Sequence, residues 1–148
     1  MGTTITSVLL LDEAAYIVNV GDSRTYVYHD PEGQLVQVTR DHSLVARLVE
    51  TGAISRDAVY THPNRNKVYR GLGDKGTVKV DWFTLSVSAG DYLLLCSDGL
   101  WEMVRDQEIE RIMQKCASNP PQASTALVKA ALKSGGADNI SAIVVRVA

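Results

Sequence analysis

The sequence predicts a domain of the α+β class, and three observations lead to this expectation. The first 40 residues contain four short runs rich in apolar and β-branched residues, as strands do. Two later segments, 106–116 and 119–134, repeat their apolar residues with helical spacing. Strand-like and helical segments come in blocks instead of alternating, which argues against a parallel sheet built from βαβ units. The length of 148 residues suits one domain with one packed core.

The expected strands are mostly paired as hairpins. They cover residues 5–11, 15–20, 25–29, 35–38, 78–88, 92–96 and 140–147. The connection 12–14 is short enough for a hairpin of the first two strands, and the third and fourth form another pair. The segment Ala89-Gly90-Asp91 is predicted to turn residues 78–88 back onto 92–96 as a third hairpin.

A short helix and a polar segment are expected in the middle of the chain. Residues 43–51 place apolar side chains on one helical face, Ser43 can cap this helix, and Gly52 can end it. Residues 53–76 are mixed and polar, which is typical of a surface segment.

Two longer helices are expected near the C-terminus. Asp106 is predicted to cap the first, and Asn119 followed by Pro120 opens the second. Their apolar positions are Ile109, Ile112, Met113 and Cys116 in the first, and Ala123, Leu127, Ala130 and Ala131 in the second. Both stripes predict one buried face per helix.

Composition and charge exclude several classes of function. Lys and Arg total 15 and Asp and Glu total 17, so no basic surface for nucleic acid or membrane is expected. The longest aliphatic run, residues 8–11, is far too short to cross a bilayer, and no secretory signal is visible. Cys96 and Cys116 lack a C-x-x-C motif, which favours reduced, buried thiols over a disulfide or a zinc site. The expected location is the cytoplasm.

Three aspartates beside predicted strand ends are candidate metal ligands. Asp22 and Asp98 each follow a strand, and Asp138 precedes the last one. Taken singly, each residue is better explained as a turn residue than as a ligand, because Asp and Gly favour turns. Asp98-Gly99, however, leads into a helical region, and all three carboxylates could meet at one rim of a sheet. Carboxylates without clustered His or Cys favour Mg²⁺ or Mn²⁺.

The remaining titratable residues give no sign of nucleophilic catalysis. His29, His42 and His62 are scattered without ligand spacing, so a surface or capping role is expected for each. No serine lies in a G-x-S-x-G motif and no cysteine has an evident histidine partner. Hydrolysis through a protein nucleophile therefore has no support in the sequence.

Five motifs are spread over nearly the whole chain. They are Met1-Gly2-Thr3-Thr4, Val20-Gly21-Asp22-Ser23-Arg24, Thr39-Arg40-Asp41-His42-Ser43, Leu94-Leu95-Cys96-Ser97-Asp98-Gly99-Leu100 and Gly136-Ala137-Asp138-Asn139-Ile140. In sequence and in order they resemble the motifs of the metal-dependent, type-2C protein Ser/Thr phosphatases of the bacterial kind. The segment from His62-Pro63-Asn64-Arg65-Asn66 to Arg70-Gly71-Leu72-Gly73 is similar to the stretch that follows the flap of the family.

The resemblance implies a fold and a site. The fold is a sandwich of two antiparallel β-sheets with helices outside. Asp98 and Asp138 would be ligands of a dinuclear Mg²⁺ or Mn²⁺ centre, and Asp22 with Asp98 would hold a third, weaker metal. The nucleophile of the family is a metal-bridging water, the substrate is a phosphoserine or phosphothreonine protein, and residues 43–63 correspond to the flap beside the substrate groove.

The sequence departs from the family pattern in its first section. The family carries there a phosphate-binding Arg and an Asp-Gly-x-Gly-Gly motif whose Asp bridges both metals, and neither is present. The chain is therefore interpreted as a C-terminal portion of the domain, with N-terminal strands and helices missing, and as catalytically incomplete. The alternatives are a stand-alone pseudophosphatase that acts as a binding module, and a fragment that self-associates and has no ligand function. Self-association or pairing with the missing N-terminal section is the expected partner interaction.

Overall fold

The computed structural model describes residues 2–30, 32–73, 76–116 and 118–148, so Met1 of the first motif lies outside them. The strands are β1 Ile5–Leu11, β2 Ala14–Val20, β3 Arg24–His29, β4 Gln34–Gln37, β5 Asp81–Ser86, β6 Tyr92–Cys96 and β7 Ala142–Arg146. The helices are α1 Leu44–Glu50, α2 Asp98–Trp101, α3 Asp106–Lys115 and α4 Pro120–Lys133, with a 3₁₀ helix at Arg56–Tyr60.

Two antiparallel sheets pack face to face. One has the strand order β1-β2-β5 and the other the order β4-β3-β6-β7. Strand alternation sends Ile17 of β2, Val27 of β3 and Leu93 of β6 into the core between the sheets, where all three are buried. The expected α+β class and the antiparallel sandwich are therefore confirmed.

Helices cover the outer face of the four-stranded sheet. Tyr26 of β3 and Leu94 of β6 point to this side and pack with helical residues in a larger core. The buried helical residues include Ile109 and Met113 of α3 and Leu127 of α4, as the apolar stripes predicted. The sandwich therefore has helices on this face, and the sheet lies between two cores.

The outer face of the three-stranded sheet carries exposed apolar side chains. Trp82 of β5 is 75% exposed and Leu9 of β1 is 57% exposed, and Tyr16 of β2, paired with Leu9, is also exposed. Between the two sheets, an apolar cleft of about 450 Å³ opens beside β1 and β7, lined among others by Val8 and Ile143. Large exposed apolar surfaces, such as this outer face and this cleft, usually mark interaction sites.

The third predicted hairpin is wrong. β5 pairs with β2 in one sheet, whereas β6 pairs with β3 and β7 in the other. The turn at Ser88–Asp91 does form, with Asp91 N–H bonded to the Ser88 carbonyl at 3.0 Å, but it carries the chain from one sheet to the other. Val87, which follows β5, is buried in the core between the sheets at the point where the chain leaves the first sheet.

Local signals predicted most helix ends correctly. The Ser43 side chain accepts a hydrogen bond from Ala46 N–H, and Asn119 accepts one from Gln122 N–H with Pro120 following. Asp106 is not the cap of α3, because Arg105 occupies that position and the Asp106 carboxylate accepts a hydrogen bond from the Tyr26 hydroxyl instead. In the part of the chain that the structure describes, no helix is long and apolar enough to span a membrane.

Candidate metal centre

The Asp22 loop joins β2 to β3 and is held in a tight conformation. Gly21 has a φ of +110°, and a Cβ there would collide with the Thr4 side chain, so the position requires glycine. Asp22 itself is only 5% exposed. The indole Nε1–H of Trp101 donates to the Asp22 carbonyl at 2.9 Å. The loop is therefore fixed by packing and by hydrogen bonds to its backbone.

The loops that carry Asp98 and Asp138 are joined to each other. Ser97 N–H donates to the Ser141 carbonyl at 3.1 Å, and Ser141 N–H donates to the Ser97 hydroxyl at 3.0 Å. Asp98 is the first residue of α2, and a Cβ on Gly99 would collide with the Asn139 carbonyl. Glycine at position 99 thus allows the two loops to approach closely.

The Asp98 carboxylate interacts electrostatically with each of the other two predicted ligands. Burial, reinforced by the Asp98 carboxylate, raises the pKa of Asp22 to about 6. Burial also raises the pKa of Asp98, and the Asp138 carboxylate acts in the same direction. Asp98 therefore lies within electrostatic range of both other aspartates, and the region accumulates negative charge that a cation would neutralise.

Glu102 is a fourth carboxylate in this region, and the sequence analysis missed it. Its Oε1 atom is buried without a hydrogen-bond partner, while Oε2 accepts a hydrogen bond from Arg65 Nε at 3.2 Å. Burial raises its pKa, as do the Asp98 and Asp138 carboxylates. The signal that could have identified it is its spacing, because a residue four positions after Asp98 shares a helical face with it.

The chemistry of these residues fits a hard divalent cation. Four carboxylates are the donors that Mg²⁺ and Mn²⁺ prefer, and the unpartnered Glu102 oxygen can accept a cation or a cation-bound water. Within the described residues, no three Asp, Glu, His or Cys side chains already form a metal-binding cluster. The side chains therefore supply part of a coordination shell, and the remaining positions require water or other groups.

The three histidines differ in their surroundings. The expected surface or capping role is wrong for His42, which is 2% exposed and hydrogen-bonded at both ring nitrogens. His62 does have a capping role, since its Nδ1 accepts a hydrogen bond from Asn64 N–H at 3.1 Å. His29 is partly exposed and contacts Asp91 at 3.1 Å. Burial of His42 results from tertiary contacts that the sequence does not reveal.

A buried ion pair packs against the Trp101 side chain that holds the Asp22 loop. Arg24 binds Asp41 through Nε and Nη2, with the closest contact at 2.6 Å. The Arg24 guanidinium also stacks 3.5 Å from the centre of the Trp101 ring, whose Nε1–H holds the Asp22 carbonyl. The motif Gly21-Asp22-Ser23-Arg24 therefore contributes both a candidate ligand and its support.

Comparisons with known proteins agree with this architecture. The family model described as Protein phosphatase 2C matches residues 83–140. The serine/threonine phosphatase stp of Listeria welshimeri is 41% identical over 145 residues, which is 98% of this chain and 56% of that protein. The chain thus spans a little over half the length of this curated relative.

Solved structures show the same relationship. The serine/threonine phosphatase Stp1 from Staphylococcus aureus superposes with a TM-score of 0.89 at 37% identity, covering 99% of this chain and 57% of that chain. The catalytic domain of the serine/threonine protein phosphatase PstP in complex with two manganese ions gives a TM-score of 0.84 at 32% identity, covering 97% of this chain and 57% of that chain. The chain belongs to the bacterial protein phosphatase 2C family, and it corresponds to a C-terminal portion of the phosphatase domain.

Proposed function

We propose that this chain is the C-terminal part of a Mg²⁺- or Mn²⁺-dependent protein serine/threonine phosphatase, and that Asp22, Asp98 and Asp138 are metal ligands. The observation that carries the proposal is the accumulation of mutually repelling carboxylates around Asp98, of which Asp22 is buried and Asp98 half-buried. Similarity to phosphatases that include a manganese complex supports the choice of metal. Glu102 joins the proposed ligand set, either directly or through water, because its buried Oε1 lacks a partner.

The residues of this chain would place negative charge where the cations bind. Bound divalent cations supply Lewis-acid chemistry and acidify a water nucleophile. Asp98 and Asp138 hold negative charge at the junction of two loops, and Asp22 adds charge from a third. Burial raises the pKa of Asp22 and Asp98 and so disfavours their charged forms, and a bound cation would offset this by favouring the carboxylates. Residues 43–63, which form α1 and the 3₁₀ helix, would border a phosphoprotein substrate as the flap.

We further propose that the chain alone is catalytically incomplete and that its exposed apolar surfaces bind the missing N-terminal part of the domain. Two features support this: the outer face around Leu9 and Trp82 offers exposed apolar area, and the cleft lies beside β1 and β7, which are edge strands of the two sheets in the described part of the chain. In the absence of that part, a second copy would use the same surfaces. Cys96 and Cys116 are free thiols, which supports a cytoplasmic location.

A pseudophosphatase that acts as a binding module is the second candidate. One observation favours it: among the residues that the structure describes, no three acidic, histidine or cysteine side chains form a finished metal cluster. In this case the flap and the rim of the site would bind a partner protein without hydrolysing a phosphate ester.

Manganese titration of the chain tests the proposed ligands. Isothermal titration calorimetry should detect Mn²⁺ binding that Asp98→Asn and Asp138→Asn weaken by at least about tenfold, since each removes a charged ligand. Glu102→Gln should also weaken binding. Glu108→Gln is the matched control, because this carboxylate lies on the exposed face of α3 and pairs with Arg111 there. Equal Mn²⁺ affinity in all five proteins would refute the ligand assignment.

An activity assay separates the two candidates. The chain alone should hydrolyse p-nitrophenyl phosphate with Mn²⁺ no faster than buffer. Addition of the N-terminal part of the Listeria welshimeri phosphatase should restore turnover if the chain is an incomplete enzyme, and this turnover should disappear in Asp98→Asn. Binding of the added part without turnover would favour the pseudophosphatase, and turnover by the chain alone would refute its incompleteness.

A further inference from the structure

His42 holds both backbone polar groups of Gly21, the residue before Asp22. The backbone N–H of His42 donates to the Gly21 carbonyl at 2.9 Å. The ring Nδ1 accepts a hydrogen bond from Gly21 N–H at 3.0 Å. Because the His42 side chain is 3% exposed, water does not compete effectively for these contacts. Asn19 Nδ2 also donates to the Gly21 carbonyl at 3.3 Å, but only His42 is bonded to both polar groups among the described contacts of Gly21. His42 therefore helps to define the backbone position from which the Asp22 side chain projects.

The hydrogen bonds of His42 determine the location of its proton. Nδ1 accepts from Gly21 N–H, so it carries no hydrogen, and the ring proton lies on Nε2. Nε2–H then donates to Asp81 Oδ2 at 3.0 Å. Arg70 Nη1 also lies 3.0 Å from Nε2, but its two hydrogens have acceptors in Asp81 Oδ1 at 2.8 Å and the Lys79 carbonyl at 3.4 Å, so it does not need the ring nitrogen as an acceptor. With a hydrogen on Nδ1, the ring N–H would face the Gly21 N–H, and the hydrogen bond between them would be lost. The arrangement thus requires one tautomer, which Asp81 selects from the far side of the ring.

Asp81 is in turn fixed by a residue that follows the flap segment. Arg70 Nη1 donates to Asp81 Oδ1 at 2.8 Å. The His42 carbonyl also accepts a hydrogen bond from Tyr69 N–H at 2.9 Å. Residues 69 and 70 are therefore connected to the Asp22 loop through the two sides of His42. This continuous path of hydrogen bonds joins the chain after the flap to Gly21, the residue before a proposed metal ligand.

We propose that His42 is a positioning residue of the metal centre, which fixes the Asp22 loop through its unprotonated Nδ1, with Asp81 and Arg70 holding the ring in the required tautomer. The inference rests on the proposed function for its metal, while the positioning of Gly21 is measurable without metal. Removal of a group that is hydrogen-bonded to a ligand typically changes metal affinity about 10- to 100-fold, and His42 acts one residue further away, through Gly21, so an effect near the lower end of this range is expected.

Two conservative variants separate the ends of the ring. In His42→Asn, the amide oxygen can lie where Nδ1 lies and accept from Gly21 N–H, but the contact to Asp81 is lost. In His42→Gln, the amide nitrogen can reach Asp81, but the acceptor for Gly21 is lost. We expect His42→Gln to weaken Mn²⁺ binding by about 10-fold or more, as removal of an outer-shell partner does. His42→Asn should keep most of the affinity.

Hydrogen exchange of the Gly21 amide is the second readout and is measured without Mn²⁺. The amide should be protected in the unaltered chain and in His42→Asn and should exchange faster in His42→Gln. His29→Gln is the control, because His29 is a partly exposed histidine at the opposite end of β3. It should change neither Mn²⁺ affinity nor Gly21 exchange.

The outcomes distinguish the failure of this inference from failure of the proposed function. Equal losses in both His42 variants, or none in either, would refute positioning through Nδ1. An unaltered chain that does not bind Mn²⁺ would refute the metal centre, and Gly21 exchange would still decide the positioning step. If a variant fails to fold, the ¹⁵N shifts of the His42 ring in the unaltered chain decide instead, and a proton on Nδ1 would refute the proposal.

Discussion

Trp101 and Asp22 are joined by a hydrogen bond from the indole Nε1–H to the backbone carbonyl, with a distance of 2.9 Å. Trp101 is the last residue of α2, and Asp98 is the first. This bond therefore connects the helix that carries one proposed ligand to the loop that carries another. Both groups are buried, so neither can obtain a hydrogen bond from water if the other is removed.

Substitution of Trp101 should affect both stability and metal binding. Trp101→Phe leaves the Asp22 carbonyl without its donor, which should lower the free energy of unfolding by about 1–3 kcal/mol in urea denaturation. It should also weaken Mn²⁺ binding, because the Asp22 loop loses an anchor. Trp82→Phe is the control, since Trp82 is 75% exposed and should change neither quantity. Identical results for both variants would contradict the anchoring role.

The buried ion pair of Arg24 and Asp41 should matter far more than the exposed pair of Arg111 and Glu108. Asp41→Asn leaves the Arg24 charge buried and poorly compensated, which should cost about 3–5 kcal/mol of unfolding free energy. Glu108→Gln breaks a pair of similar length on the surface of α3 and should change stability little. Thermal or urea denaturation of the two variants checks this difference, and a small effect in both would contradict it.

Gly99 should not tolerate a methyl group. In an ordinary helix, Gly→Ala raises stability, because glycine has the greater conformational freedom when unfolded. At position 99 the added Cβ would collide with the Asn139 carbonyl, so Gly99→Ala should lower stability by about 1–3 kcal/mol. It should also weaken Mn²⁺ binding by separating the loops of Asp98 and Asp138. Increased stability, measured by urea denaturation, would show that the loops do not restrict this position.

Features that depend on a few neighbouring residues were predictable from the sequence. Asn119 and Pro120 begin α4 where expected, and Asp98 does lead into a helix, because capping and turn formation are local. The pairing of β5 was not predictable in the same way. A short turn follows β5, which favours a hairpin with β6. Instead β5 pairs with β2, on the side of β2 that faces away from β1. Competition between distant strands therefore decided the pairing.

The candidate site shows the same division. The spacing between Asp98 and Glu102 lies within one short stretch of sequence, so Glu102 could have been recognised. His42 could not, because its burial depends on Asp81, 39 positions away, and on the path of the Asp22 loop. Sequence motifs thus identified the candidate ligands, whereas the residues that support them became visible only in three dimensions.

The pKa of Asp22 should make the metal-free protein less stable as the pH rises. In the folded state this pKa is about 6, above its ordinary value of 3.8, so folding favours the protonated carboxyl. The stabilising contribution is complete below about pH 3.8 and is lost as the pH rises through 6. A shift of this size corresponds to roughly 3 kcal/mol.

Asp22→Asn isolates this contribution, because the amide does not titrate. Urea denaturation in EDTA should show that the difference in unfolding free energy between the variant and the unaltered chain moves in favour of the variant by about 2–3 kcal/mol from pH 4 to pH 7. Saturating Mn²⁺ should reduce or reverse this trend, since a bound cation favours the charged carboxylate and only the unaltered chain retains it. Parallel stability curves without metal would show that Asp22 is not destabilised by its charge. If the curves are parallel in Mn²⁺ as well, Asp22 is not a ligand of the metal centre.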